Sequence, residues 1–128
     1  MSVFCIGANF NKKDISQDFI KQGIVGVVWN SNEAPELQDY FQSLKVGDIV
    51  YIKSAFVNSD ITVKAIGLIK DSLIIRNNGL VSTGRNVKWL FTEQFIIPQP
   101  KEKNNVRSNT IYEEFHPVAL SEIISRIN

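Results

Sequence analysis

Cysteine and histidine each occur once in the 128-residue sequence, as Cys5 and His116. A single thiol cannot close an internal disulfide, and without a second cysteine no cysteine-based zinc site is expected. Cys5 lies in an apolar run, Val3 to Ile6. We therefore predict that Cys5 is a buried thiol of the hydrophobic core.

Long apolar runs are also missing. No segment reaches the roughly 18 consecutive apolar residues that a membrane-spanning helix needs, so no membrane partner is expected. The N-terminus has neither the basic segment nor the apolar stretch of a secretory signal peptide. These features predict a cytoplasmic protein.

Neither sign of charge is in excess, because 14 Lys and Arg residues face 13 Asp and Glu residues, a formal net charge of +1. This balance excludes a protein that coats nucleic acid by charge alone, but it leaves room for a local basic groove. Apolar residues are plentiful, at 44% of the sequence. A chain of this size can bury its own core, so we predict a single domain, 1–128, that needs no metal or disulfide for stability.

Residue combinations typical of enzymes are missing as well. The sequence supports no Ser-His-Asp or Cys-His set, no Walker loop and no glycine-rich dinucleotide fingerprint. His116 directly precedes Pro117, a position more typical of a helix cap or a surface residue than of catalysis. Glu113 and Glu114 are interpreted as a solvated pair. The acidic residues show no metal-ligand spacing: Glu33, Glu36, Asp39, Asp48, Glu113, Glu114. We expect a protein that is not an enzyme and binds no cofactor or metal.

Hydrophobic periodicity predicts an α+β fold. Two stripes at i, i+3, i+4 and i+7 indicate helices over 34–44 and 117–127. A third helix is expected over 15–22, which Asp14 or Ser16 can cap and Gly23 can end. The stripes consist of Leu37, Tyr40, Phe41, Leu44 and of Leu120, Ile123, Ile124, Ile127. β-Branched and alternating segments predict strands at 3–8, 24–29, 48–54, 61–69, 72–76, 86–91 and 95–97.

Gly26 inside one predicted strand indicates a bend or a close backbone approach, and Gly67 inside another indicates a bend or a bulge. Together the elements predict a bent, mostly antiparallel β-barrel, partly closed and flanked by about three helices. Polar segments predict loops at 55–60, at 82–85, where we expect flexibility, and at 98–109, where the loop is basic.

The ends of two predicted strands carry residues suited to binding. Trp29 is followed by Asn30 and Ser31, and an aromatic ring beside amide and hydroxyl groups can stack a base and read its edge. The alternative is that Trp29 plugs one end of the barrel. Lys53 and Ser54 end another strand, where a lysine can meet a phosphate and a serine can donate to a base. The alternative for this pair is an ordinary polar strand exit.

A third candidate region is the polar loop that carries Arg85 and leads to Trp89. Trp89 is either part of the binding site or a core tryptophan on an alternating strand. Basic residues recur on the neighbouring strands and loops, at Lys64, Lys70, Arg76, Arg85 and Lys88. Whether these side chains cluster on one face depends on the fold.

Three segments in sequence order resemble the EVE-type domains of the PUA-like superfamily, which are related to YTH and ASCH domains. They are Gly26–Asn30, Leu44–Ser54 with its Lys-x-Gly-Asp turn, and Ala65–Ile69 with its central glycine. The resemblance covers roughly residues 3–97. It implies a bent barrel that binds nucleic acid and encloses a modified base in an aromatic pocket.

Carried over by position, the resemblance implies that Trp29 is a pocket wall, that Asn30 and Ser54 are polar readers and that Lys53 contacts the backbone. Trp89 or Tyr51 would supply a second wall. EVE domains usually end the corresponding strand with a tyrosine-histidine-serine run, where this chain has Ile52, Lys53 and Ser54. The predicted ligand-binding set is Trp29, Asn30, Ser31, Tyr51, Lys53, Ser54, Arg85 and Trp89.

The sequence therefore predicts a module that recognises a base, modified or not, with nucleic acid or a modified nucleotide as its partner. An alternative function is a non-enzymatic sponge for a small nucleotide, and another is a protein–protein adaptor, either of them in a phage or defence system.

Overall fold

The computed structural model describes residues 2–10, 13–29, 33–54, 61–97 and 110–128. Within these ranges the chain forms ten strands and three helices. In chain order they are β1 (Val3–Gly7), β2 (Asn9–Phe10), β3 (Lys13–Asp14), α1 (Ser16–Gln22), β4 (Ile24–Val27), α2 (Pro35–Ser43), β5 (Ile49–Ser54), β6 (Ile61–Ile69), β7 (Ile75–Arg76), β8 (Thr83–Phe91), β9 (Phe95–Ile97), β10 (Ile111–Glu113) and α3 (Pro117–Ile127). The predicted loops at 55–60 and 98–109 lie outside the described residues.

Eight strands form one sheet in the order β10-β1-β5-β6-β8-β4, with β7 added on β8 and β9 on β6. β1 and β5 pair in parallel, and the other described pairs are antiparallel. The sheet curls through 234° into an open half-barrel. The prediction of an α+β fold with a bent, mostly antiparallel sheet and three helices is therefore confirmed, and the barrel is open.

The two faces of the sheet bury two separate hydrophobic clusters, because successive side chains of a strand point to opposite faces. Val50 and Ile52 of β5 belong to the cluster that also contains Phe19 of α1 and Phe41 of α2. The second cluster contains Ile49 and Tyr51 of β5 and Ala119 and Ile123 of α3. We call the first the inner face and the second the α3 face. The first four side chains of β5 thus alternate between the two clusters.

At α1 and α3, residues that the sequence offers for capping bond the backbone near the helix ends. The Asp14 carboxylate accepts a hydrogen bond from the Ser16 amide at 2.8 Å, and Gly23 ends α1 with φ of +68°, a left-handed conformation that glycine adopts without strain. At α3, Nδ1 of His116 accepts from the Val118 amide at 3.2 Å. The interpretation of His116 as a helix cap is confirmed.

Glycine lets β4 and β8 approach closely. Gly26 pairs with Gly84, and a Cβ on Gly26 would lie 2.5 Å from the carbonyl oxygen of Thr83. In β6 the register shifts between Ile66 and Gly67, and a Cβ on Gly67 would lie 2.9 Å from the Trp89 ring. The predicted close approach and bulge are both present.

Several local predictions were wrong. Ser82–Arg85 is not a flexible loop, because β8 begins at Thr83 and is paired on both sides, with β4 and β7. The strand expected at 72–76 shortens to Ile75–Arg76. β10 was not predicted, and it carries the chain to Glu114, which is buried and not solvated. Among the described residues, no helix is long and apolar enough to cross a membrane.

Candidate functional site

Trp29 lies just beyond the end of β4 with its side chain partly in solvent. Its exposure is 40%, which is high for so large an apolar side chain. The Phe10 ring braces the indole edge-to-face, with ring centroids 4.8 Å apart and an interplanar angle of 74°. Phe10 belongs to the short β2–β3 ribbon, where it pairs with Lys13. The exposed indole therefore packs on the Phe10 ring, and Lys13 is the strand partner of Phe10 in the ribbon.

The backbone of Trp29 is held by two side chains from distant segments. Nε2 of Gln38 donates to the Trp29 carbonyl at 2.9 Å, and the Ser82 hydroxyl donates to the same oxygen. Ser82 also anchors β4, the strand that precedes Trp29, because the Ser82 amide donates to the Val27 carbonyl at 2.8 Å. These bonds attach the Trp29 backbone both to α2 and to the segment that leads into β8.

Gln38 connects α2 to the start of β8. It is only 5% exposed, and its amide satisfies three partners. Nε2 bonds Trp29 and the Ser82 hydroxyl, and Oε1 accepts from the Thr83 hydroxyl. Since a buried amide must find hydrogen-bond partners, Gln38 couples the helix to the chain around Trp29. Gln38 is not part of the apolar stripe that predicted α2, so the spacing of apolar residues could not identify it as a structural residue.

Arg85 is buried beneath the C-terminus of α2, with an exposure of 2%. Nη1 donates to the carbonyls of Phe41, at 3.1 Å, and of Leu44, while Nη2 donates to the Asp71 carbonyl at 2.8 Å. A cation at this end of a helix also interacts favourably with its dipole. Burial lowers the pKa of the Arg85 guanidinium. The structure thus places Arg85 in a helix-capping position and away from the surface.

Trp89 lies at the other end of β8, partly buried and packed against the inner-face cluster. Its Nε1 donates to the Phe19 carbonyl at 3.1 Å, and its ring lies over Gly67. Trp89 is six residues beyond Thr83, a distance of about 20 Å at the usual strand rise. The structure therefore does not bring Trp89 to Trp29, and the core alternative describes its surroundings.

Tyr51 and Lys53 lie together on the α3 face. Tyr51 is fully buried, and Lys53 is 7% exposed. Nζ of Lys53 donates to the Tyr112 hydroxyl at 2.7 Å. Cys5 and the carboxyl of Glu114 are close enough to interact electrostatically with Tyr51 and with each other. These five residues form a buried polar cluster, which the sequence did not predict because Tyr112 and Glu114 come from the unrecognised β10 segment.

Burial dominates the ionisation of the buried polar cluster. It raises the pKa of the Cys5 thiol to about 11, against a smaller opposing effect of the Lys53 charge. It also raises the pKa of Tyr51 and of Tyr112. A thiol with so high a pKa is a poor nucleophile, since the thiolate is the reactive form. The prediction of a buried core thiol at Cys5 is confirmed.

The structure thus distributes the predicted site residues over separate places. Tyr51 and Lys53 share the α3 face, whereas Ser54 follows at the partly buried end of β5. Asn30 and Ser31 lie outside the described residues. In the described part of the chain, the side chains that contact Trp29 are Phe10, Gln38 and Ser82. Of these, only Ser82 had drawn attention in the sequence, as a loop residue.

Among the described residues, no group of three or more His, Cys, Asp or Glu side chains could hold a metal ion. No protein-family model matches the sequence, and no curated protein matches it either.

Proposed function

We propose that this domain is a non-enzymatic module that binds nucleic acid by stacking one base on the indole of Trp29. The observation that carries the proposal is that Trp29 is both exposed and held in place. Its ring is braced by Phe10, and its carbonyl accepts from Gln38 and Ser82. A ligand that stacks on an already ordered ring does not have to order it, which lowers the entropic cost of binding.

Stacking on an aromatic side chain suits a base because every base presents a π-face, and a protein uses other groups to tell bases apart. The side chains of Ser82 and Thr83 already bond Gln38, and Gln38 and Ser82 donate to the Trp29 carbonyl. The edge of the base would then be read by Asn30 and Ser31, which follow Trp29 directly in the sequence. Amide and hydroxyl groups can both donate to and accept from base edges.

The resemblance to EVE-type PUA-like domains supports the same class of ligand, and the proposal changes one of its details. Tyr51 is buried on the α3 face and Trp89 bonds the Phe19 carbonyl, so neither accompanies Trp29. Phe10 takes the place of the second aromatic wall, because its ring contacts the indole. Such a site would accept a base that is unstacked from its neighbours.

A thermal-shift screen of modified and unmodified oligonucleotides and nucleotides identifies the best ligand, since a ligand that binds only the folded state raises its stability. Binding of that ligand to Trp29→Ala and Trp29→Phe is then measured by fluorescence anisotropy. Base stacking is worth roughly 1–3 kcal/mol, so Trp29→Ala should weaken binding about tenfold or more. Trp29→Phe keeps an aromatic face and should lose less.

Trp89→Phe is the matched control, because it changes the other tryptophan of the chain and should leave affinity unchanged. If both Trp29 variants bind the ligand as the unmodified protein does while their melting temperatures fall, Trp29 only plugs the open end of the sheet and the proposal fails. Salt dependence separates the two classes of ligand. Binding of a polymer weakens steeply as salt rises, and binding of a free nucleotide does so far less.

A further inference from the structure

We infer that Arg76 is the phosphate-binding residue of this site and that it contacts a phosphodiester of a single-stranded nucleic acid whose base stacks on Trp29. The inference rests on the proposed function and adds to it the anionic part of the ligand. It depends on three observations, which are the position of Arg76, the partners of its guanidinium and the absence of an ion pair.

The strand register brings Arg76 to the Trp29 end of the sheet. Arg76 pairs with Thr83 across β7 and β8, and Thr83 pairs with Val27 across β8 and β4. Two strand spacings put the Cα atoms of Arg76 and Val27 about 10 Å apart. Trp29 follows two residues after Val27. The register thus places Arg76 and Trp29 at the same end of the sheet, although 47 positions separate their numbers in the sequence.

The Arg76 guanidinium is oriented by neutral partners. Nη1 donates to the Thr83 hydroxyl at 3.2 Å. With the Gln42 amide turned so that its oxygen faces the arginine, this oxygen accepts from Nη1 and Nη2 at 3.2 Å each. Thr83 is bonded in turn to Gln38, which holds the Trp29 carbonyl. The same hydrogen-bonded network therefore connects the cation to the backbone of Trp29.

No carboxylate in the described part of the chain compensates the charge of Arg76. Some cations there do have acidic partners, such as Lys64 with Asp14 at 3.9 Å and Arg126 with Glu122 at 3.7 Å. Arg76 is exposed, and a guanidinium has five N–H donors, more than Thr83 and Gln42 use. An oriented arginine with open donors matches the geometry of a phosphate.

A single strand is the form of nucleic acid that suits both groups. A base must leave its stack to lie on the Trp29 ring, and in a single strand this costs least. The phosphodiester next to that base would then be the group that Arg76 contacts, two strand spacings away across β8. A free nucleotide also carries a phosphate, so the experiment compares the two sources.

The experiment measures binding of a short single-stranded oligonucleotide by fluorescence anisotropy over a range of salt concentrations. The proteins compared are the unmodified chain, Arg76→Gln, Arg76→Lys and the matched control Lys88→Gln. Lys88 is also exposed and lies five residues from Thr83 along β8. Replacing it by glutamine removes the same positive charge as Arg76→Gln does. Melting temperatures establish that each variant is folded.

We expect Arg76→Gln to weaken binding about three- to tenfold and to reduce the slope of log K against log salt by about 0.7, the value of one phosphate contact in a single strand. Arg76→Lys should keep the slope and lose part of the affinity. Lys88→Gln should change neither. This pattern supports the inference, because a merely structural role of Arg76 would lower stability without changing the slope.

Two results would overturn the inference and leave the proposed function standing. In the first, Arg76→Gln binds with unchanged affinity and slope while Trp29→Ala loses binding. In the second, Arg76→Gln weakens binding of a nucleoside monophosphate relative to its nucleoside but does not affect the oligonucleotide, so the phosphate belongs to a free nucleotide. If the unmodified chain binds no oligonucleotide at all, the proposed function and the inference fail together.

Discussion

At the scale of single residues, the buried cation Arg85 shows how a polar side chain becomes part of a core. Its donors bond carbonyls at the end of α2 and the Asp71 carbonyl, so the helix end and a distant turn share one side chain. The last carbonyls of a helix have no partner within the helix, and a buried helix end needs one from elsewhere. Arg85 supplies it, and this explains why an arginine is tolerated there.

Arg85→Lys tests this role. A lysine keeps the charge but cannot reach three carbonyls in the same geometry, and hydrogen bonds to charged groups are worth about 1.5–3 kcal/mol each. We expect the free energy of unfolding to fall by about 3 kcal/mol in urea titrations. Lys88→Ala, on the exposed side of the same strand, should change it by less than about 0.5 kcal/mol. Equal effects of the two substitutions would contradict the assignment.

At the scale of elements, the pairing of β4 with β8 positions the candidate site, because Trp29 extends from β4 and Ser82 leads into β8. The two strands meet at Gly26 and Gly84, where a side chain on either would enter the neighbouring strand. α2 then covers this pair, and Gln38 is bonded to both sides of it. The site thus depends on contact between three elements.

Gly26→Ala should disrupt this contact. The added Cβ would lie 2.5 Å from the Thr83 carbonyl oxygen and 2.9 Å from the Gly84 Cα, so the strands must separate. We expect a loss of about 3 kcal/mol or more in the free energy of unfolding, measured by urea titration. Gly79→Ala is the control, since a Cβ there meets no atom within 4 Å and φ of +94° costs only about 1–2 kcal/mol. The idea fails if Gly26→Ala is the milder change.

At the scale of the whole molecule, two faces of one curled sheet carry different chemistry. The inner face leads to the exposed Trp29 end, while the α3 face encloses the buried polar cluster of Cys5, Tyr51, Lys53, Tyr112 and Glu114. Burial raises the pKa of Cys5, Tyr51 and Tyr112 alike. Folding therefore favours the protonated form of all three groups.

This coupling predicts that the protein loses stability at alkaline pH. The pKa of Cys5 rises from 9.0 to about 11 on folding, so between these values the folded state binds more protons than the unfolded state. The free energy of unfolding must then fall as pH rises through this window. Tyr51 and Tyr112 extend the fall to higher pH, since burial raises their pKa in the same direction.

Urea titrations from about pH 8 to about pH 11 measure the effect, and Cys5→Ala should make the curve shallower in this window. Lys53 and Glu114 also interact with the Cys5 thiol, so the comparison uses a variant that removes only this thiol. A free energy of unfolding that stays constant over the range would show that Cys5 does not titrate differently in the two states.

The sequence by itself determined the features that depend on neighbouring residues along the chain. The apolar stripe of α3 placed it at 117–127, as observed, because the helical period repeats within the element. Gly23 and His116 marked helix ends, and Gly67 marked the bulge in β6, through local backbone geometry. Trp29 could be recognised as a candidate because it precedes polar residues at a strand end.

Tertiary structure alone decided which polar side chains are buried and what accompanies Trp29. Arg85 looked like a loop residue because its neighbours in sequence are polar, yet its partners lie in α2 and near Asp71. Gln38 and Ser82 lie 44 positions apart and meet only when α2 packs on the start of β8. A buried polar group is stable only if distant partners satisfy its hydrogen bonds, and a local pattern contains no information about those partners.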